Sequence, residues 1–385
     1  MVHATCFPSV FSEHSILVAD ATTWPQIRER LRRYSSGQVD STKGCRRMRA
    51  RLCASAAMHG SRASSKKAAA RSVFEDHFLS VYGERWRTLR QALLQPNKHV
   101  ALVNGFAQGD PLHELRTQGE AMEVLIDESH CQVACAVSGN ALPPPRIEPA
   151  SGLRNYYMLD LASVVAALSL DVYPGHKVLD MCAAPGGKAL VLARQLFGAG
   201  DITGQLVAND RSSDRRARLK AVMSEYLPTN VMVSCSIHGL EAQQWGRHQP
   251  ERFDRVLLDA PCGSERHVLQ HAAAKRRDVM KDEWSPARSK RNASLQVDLL
   301  LSGIKSLRPG GRIVYSTCSV SPVENDKVVE KALKRNANMD VVRDSEPLVR
   351  LIGAEQTLYG HIACPDTANG WGPLYWCTME KREAC

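Results

Sequence analysis

The stretch VLDMCAAPGGKA (178–189) joins a short buried-strand pattern to the start of a helical one through two glycines. Val178 and Leu179 read as strand, and KALVLARQLF (188–197) carries apolar residues at helical spacing. Gly186 and Gly187 let the backbone approach a ligand closely, and the following helix offers unpaired N–H groups and a positive dipole end. Strand, glycine turn and helix in that order open a doubly wound α/β sheet. The spacing fails as a triphosphate loop: Cys182 stands where the first glycine belongs, and Ala189 replaces the hydroxyl that would hold magnesium. It also lacks the GxGxxG spacing of a dinucleotide site.

The alternation continues downstream. GQLVAND (204–210), VMVSCS (231–236), FDRVLLDAP (253–261) and GGRIVYSTC (310–318) read as further strands. RRARLKAVMSEYL (215–227), SLQVDLLLSGIKSL (294–307) and ENDKVVEKALKRN (324–336) read as helices, and RNYYMLDLASVVAALSL (154–170) as an amphipathic helix before the first strand. Such βα units predict a mainly parallel sheet with ligands at the carboxyl ends of its strands. Asp210 ends the second strand, where a carboxylate can accept both hydroxyls of a ribose. Its competing role is a helix N-cap. A glycine turn and a ribose carboxylate without a pyrophosphate loop point to S-adenosylmethionine as cofactor.

Two cysteines also end strands. IVYSTCSVSP (313–322) carries Cys318, and LLDAPCGSERH (257–267) carries Cys262 shortly after Asp259. A lone thiol is usually a small buried hydrophobe. Two at strand ends suit a specific chemistry. Carbon 5 of a pyrimidine is a poor nucleophile, but a thiolate added to carbon 6 makes it enamine-like and able to take a methyl group. The adduct must then lose the carbon-5 proton and expel the thiol, which a second thiol would assist.

CAAPGGK (182–188), DAPC (259–262) and STCS (316–319) followed by EN (324–325) resemble the Sun-domain (Nol/Nop/Sun) family of RNA cytosine-C5 methyltransferases. The resemblance runs from about Phe74 to the end. It implies a Rossmann-like S-adenosylmethionine-dependent methyltransferase fold with a small helical N-terminal extension. It further implies that Cys318 is the nucleophile, that Cys262 aids release of the product, and that Asp259 holds the amidine edge of cytosine or shares its proton. Lys188 then lies between cofactor and base, Gly186 and Gly187 frame the methionine end, and Arg215 lies near the cofactor. After the third strand the family carries an aspartate–glycine pair that contacts adenine, whereas here His238 precedes Gly239. Either His238 makes an altered contact or the loop shifts register. A degenerate RNA-binding assembly factor of the same fold is therefore the alternative to an active enzyme. ALVNGFA (101–107), YYMLDLAS (156–163), Arg266–His267 and GPLYWCTM (372–379) are similar to the mitochondrial small-subunit rRNA branch. That branch implies the mitochondrial matrix, an RNA substrate, and a helical-repeat termination-factor-like companion or mitoribosomal assembly proteins.

The 385 residues carry a formal charge of +10, which favours a polyanionic partner. No apolar run reaches the length of a membrane span. The twelve cysteines form no CxxC pair, and Cys131 and Cys135 have no second pair to complete a zinc site, so no metal is expected. The start shows no secretory leader, so the thiols are expected to be reduced. Residues 1–72 are basic, with no acid from Ser41 to Arg71, and read as an organelle presequence or a flexible arm. Over 73–150, Phe74, Phe78, Val81, Trp86, Leu89 and Leu93 predict two helices meeting near Gly83, followed by an irregular stretch and a proline-rich linker. Residues 151–385 form the expected catalytic domain. KRRDVMKDEWSPARSKR (275–291) reads as a basic loop whose cations meet phosphates while Trp284 stacks on an unpaired base.

Overall fold

Apolar residues alternate between two faces along the central strands, so one sheet is covered on both sides. The computed structural model describes residues 72–383 except 112, 114, 116–121, 129–130, 137–141 and 345. The presequence or arm expected over 1–72 lies, but for Ser72, outside the described residues. Strands β1 (Val100–Val103), β2 (Met122–Glu128), β3 (Cys131–Ala136) and β4 (Tyr156–Leu159) form an antiparallel sheet in the order β2-β3-β1-β4. Strands β5 (Lys177–Asp180), β6 (Gln205–Asn209), β7 (Cys235–His238), β8 (Phe253–Asp259) and β9 (Leu307–Thr317) pair in parallel. Strands β10 (Met339–Val342), β11 (Glu355–Gln356), β12 (His361–Ala363) and β13 (Leu374–Lys381) extend that sheet with antiparallel pairs.

The large sheet, nine-stranded among the described residues, runs β11-β12-β13-β9-β8-β5-β6-β7, with β10 on β13. From β5 the chain moves out to β6 and β7, then returns to β8 and β9 on the other side. The order therefore reverses between β5 and β8, where a crevice opens beyond the carboxyl ends.

Val178, Leu206, Ala208, Leu257 and Val314 face one core, shared with α3 (Leu161–Leu168), α4 (Gly187–Phe197) and α5 (Ser213–Tyr226). Their strand neighbours Leu179, Val207, Val256, Leu258 and Tyr315 face the other core. That second core is closed by α1 (Val73–Tyr82), α2 (Trp86–Leu94), α7 (Pro286–Ser306) and α8 (Asp326–Arg335), with α6 (Glu265–Ala274) following the loop after β8. The first two helices meet at the tight turn Gly83–Arg85, as their spacing predicts. Among the described residues no helix is long and apolar enough to cross a membrane.

The structure corrects three readings. The helix expected over 154–170 begins only at Leu161; Tyr156–Leu159 is strand β4, paired with β1 through Ala101 and Met158. Asp160 marks the change, its Oδ1 accepting from Ala162 N–H at 2.8 Å as an N-cap. The strand expected over 231–236 is partly helical: Thr229–Met232 forms a turn after Pro228, and pairing with β6 starts at Cys235. The irregular stretch after Pro96 contains β1, β2 and β3; β1, four residues and all apolar, shows no period of two.

Candidate active site

The carboxyl ends of β5, β6 and β7 are tied together by one buried side chain. Asn209 donates to Met181 O at 3.0 Å and Leu240 O at 3.1 Å, and accepts from Leu240 N–H at 2.9 Å. Around this knot the glycine turn is shaped by close approach. Gly186 stands at φ 123°, where a Cβ would be strained and would lie 3.0 Å from Val222. A Cβ on Gly187 would lie 2.8 Å from the Tyr157 ring.

Asp210 is buried, its Oδ1 accepting from Ser212 N–H at 3.0 Å. Its Oδ2 lies 3.1 Å from Arg215 Nη1 at an angle too poor for a hydrogen bond. The capping role on α5 falls instead to Ser212, whose Oγ accepts from Arg215 N–H at 3.4 Å. Arg215 also donates to Ala184 O at 2.5 Å, bridging the glycine turn to Asp210. A Cβ on Gly239 would lie 2.6 Å from the Arg216 guanidinium, which donates to Asp210 O at 2.9 Å. His238 is exposed, with Nε2 3.1 Å from Ser236 Oγ and its ring edge-on to Trp245.

A cavity of about 220 Å³ opens beside this turn, lined in part by Tyr157, Ser163, Asp180, Cys182, Lys188 and Asp259. Asp180 is fully buried, and neither carboxylate oxygen meets a donor at bonding geometry among the described residues. Burial, and then the charge of Asp259, push its pKa up to about 7. Buried acceptors of this kind need a partner. An adenosyl cofactor with an α-ammonium group fits: the glycines permit close approach, Asp210 keeps a buried oxygen for ribose hydroxyls, and Asp180 can receive the cation.

Next to the cavity, Lys188 Nζ donates to Asp259 Oδ2 at 2.8 Å and to Ser163 Oγ at 3.2 Å. Burial opposes the ammonium charge, but Asp259 outweighs it and holds the Lys188 pKa above its ordinary value. Asp259 Oδ1 accepts from Ser316 Oγ at 2.9 Å, which joins β8 to β9. Beyond those two strands Cys262 Sγ and Cys318 Sγ lie 2.9 Å apart, both half-buried. The hydrogen bond from the Cys262 thiol lowers the Cys318 pKa despite burial, and the same contact, with burial, raises that of Cys262.

The EN pair builds the frame. Asn325 accepts from Thr317 Oγ1 at 2.6 Å and donates to Ser319 O at 2.9 Å, folding the chain around Cys318. Glu324 Oε2 accepts from Gly263 N–H at 2.9 Å, holding the loop that follows Cys262. The sequence reading missed Asp180, Asn209, Ser264 and Glu265 as parts of this site, and took Glu324 only as part of the EN motif. Asp180 had a signal, since it ends a central strand just as Asp259 does.

One expectation fails. Trp284 is 1% exposed, donates to Glu265 Oε1 at 3.0 Å and packs on Phe74 and Phe78. It belongs to the core, because an indole beside α1 and α6 gains more from burial than from standing in water. Lys275, Arg276, Lys281, Lys290 and Arg291 around it are exposed.

Residues 167–370 match the family model described as 16S rRNA methyltransferase RsmB/F. The chain is 31% identical over 341 residues to the 5-cytosine rRNA methyltransferase NSUN4 of Bos taurus, across 77% of this chain and 85% of that protein. It is 29% identical over 321 residues to a mitochondrial tRNA (cytosine(34)-C(5))-methyltransferase of Mus musculus, across 80% of this chain and 89% of that protein. The crystal structure of NSun6 from Pyrococcus horikoshii with SFG matches at TM-score 0.61 and 16% identity, across 82% of this chain and 99% of that one, a likeness of fold alone. The chain therefore belongs to the 16S rRNA methyltransferase RsmB/F family, as an RNA methyltransferase with the Rossmann-like fold of enzymes that use S-adenosylmethionine.

Proposed function

We propose that this chain is an S-adenosylmethionine-dependent RNA cytosine-C5 methyltransferase of the mitochondrial matrix, acting on small-subunit rRNA. The observation that carries the reading is the meeting of two thiols, 2.9 Å apart, beside the Lys188–Asp259 pair that lines the cavity. The motif resemblance and the relatives' printed activities support the base and the compartment.

Gly186, Gly187, Asp210, Arg215, Gly239 and Asp180 would hold S-adenosylmethionine, which would supply an electrophilic methyl group for carbon 5 of the cytosine. The Cys318 thiolate adds to carbon 6, and the ring electrons move to carbon 5. Asp259, with Lys188, holds the amidine edge and shares the proton that this shift requires. Once carbon 5 is methylated its proton passes to solvent water, the carbon 5–carbon 6 double bond reforms, and the Cys318 sulfur leaves with the bonding pair. Cys262 donates its S–H to that sulfur as charge returns to it, and so aids release. A base doing this chemistry must be single-stranded or flipped out of a helix. The resemblance to the mitochondrial branch supports selection of the site by a helical-repeat companion or mitoribosomal assembly proteins.

Labelled methyl donor with organelle small-subunit rRNA, read by bisulfite sequencing, tests the reading. Wild-type protein is expected to label one or more cytosines, and label that persists in Cys318→Ala would remove the nucleophile. Cys262→Ala is expected to accumulate a covalent protein–RNA band under denaturing conditions; if it never does, the release role is wrong. Mitochondrial tRNA labelled in place of rRNA would transfer the substrate to the class named for the mouse relative.

A further inference from the structure

Ser264 stands where a serine usually caps a helix, immediately before α6, yet it makes no capping hydrogen bond among the described residues. Its backbone is left-handed, at φ 51° and ψ 50°. Such a conformation costs a non-glycine residue about 1 kcal/mol or more and persists only where its surroundings impose it. They do so here. Gly263 N–H is held by Glu324, and a Cβ on Gly263 would collide with Glu265 Oε1. Glu265 is itself anchored by Trp284 Nε1 at 3.0 Å, Ser319 Oγ at 3.1 Å and Val320 N–H at 3.1 Å. The result aims the Ser264 hydroxyl into the thiol pair, 3.2 Å from Cys318 Sγ and 3.6 Å from Cys262 Sγ.

We propose that Ser264 is a further catalytic residue, whose hydroxyl donates a hydrogen bond to the Cys318 sulfur and stabilises its thiolate before attack and on departure. This rests on Cys318 being the nucleophile. The other groups around that sulfur show why a neutral donor matters. Asp259 at the end of β8 and Glu265 on α6 oppose a negative sulfur, whereas Lys188 on α4 and the Cys262 thiol favour it. An oriented O–H adds stabilisation without drawing a further charge into the site. No proton is transferred, so the adduct chemistry keeps its balance.

The test is the pH dependence of iodoacetamide alkylation at Cys318, followed by mass spectrometry of its peptide in the full chain without RNA. Ser264→Ala and Ser264→Gly are both expected to raise the alkylation midpoint by about one pH unit. Single-turnover methylation near pH 7 is expected to fall about tenfold in both and to recover at higher pH. Glycine relieves the left-handed backbone, so wild-type behaviour in Ser264→Gly would show that conformation matters rather than the hydroxyl, and overturn the proposal. An unmoved midpoint in either folded variant would overturn it too. Alkylation reads sulfur acidity alone, so persistent methylation in Cys318→Ala would instead remove the nucleophile reading.

Discussion

Asp180 ends β5 with a carboxylate that folding buries before any ligand arrives. Its pKa of about 7 lies above the ordinary aspartate value of about 3.9, so the folded state holds the proton more tightly than the unfolded one. Below the ordinary value both states are protonated and burial costs nothing electrostatic. The cost grows as pH rises from about 4 to about 7 and is constant above, reaching roughly 4 kcal/mol at most. Asp180→Asn removes it. The unliganded variant is expected to gain stability over wild type as pH rises from 5 to 8, measured by urea unfolding. Titration should show it binding S-adenosylmethionine at least about tenfold more weakly, the loss of one charge-assisted hydrogen bond. A stability difference that ignores pH would take Asp180 out of this role.

The start of α3 shows how one side chain sets an element and reaches beyond it. Asp160 Oδ1 caps Ala162 N–H at 2.8 Å, while Oδ2 accepts from Gly372 N–H at 3.0 Å, far along the chain. Asp160→Ala loses a cap worth about 1 kcal/mol and leaves a second N–H unpaired for about 1 kcal/mol more. A loss of about 2 kcal/mol is expected in urea unfolding. Asp160→Asn keeps one acceptor, the amide oxygen, for the Ala162 cap but turns an NH2 donor toward Gly372 N–H, so it should recover only the cap's share of about 1 kcal/mol. Were alanine to cost no more than asparagine, the cap would not be what starts α3. The same carboxylate explains why Tyr156–Leu159 can remain strand: the helix has a defined beginning after it.

Three distant parts of the chain meet at Arg266. Its buried guanidinium donates to Ala92 O and Leu93 O at 3.3 Å, to Gln95 O at 3.4 Å and to Gly372 O. It therefore seats α6, which follows the Cys262 loop, against the end of α2 and the C-terminal segment. Arg85 joins the α1–α2 corner to Glu355 at 2.7 Å and Asp366 at 2.8 Å, but near the surface. Arg266→Ala strips several buried carbonyls of their donor, so about 3 kcal/mol of stability and most methylation activity should be lost. Arg85→Ala should cost about 1 kcal/mol and leave activity intact. Equal effects on activity would deny Arg266 any part in positioning the Cys262 loop.

The glycine turn, the strand-end aspartates at 210 and 259 and both thiols were legible in the amino-acid order, because each is a local pattern on one element. Convergence of those strand ends was legible too, since repeated βα units admit few topologies. Trp284 was not: its basic neighbours suggested solvent, and only packing against Phe74 and Phe78 puts it in the core. Nor was Ser264, whose aim at two sulfurs depends on Glu265 and Glu324 closing around Gly263. Periodicity and spacing describe neighbours along the chain. Burial and the direction of a side chain are set by groups remote in sequence, and these become neighbours only when the sheet has found its register.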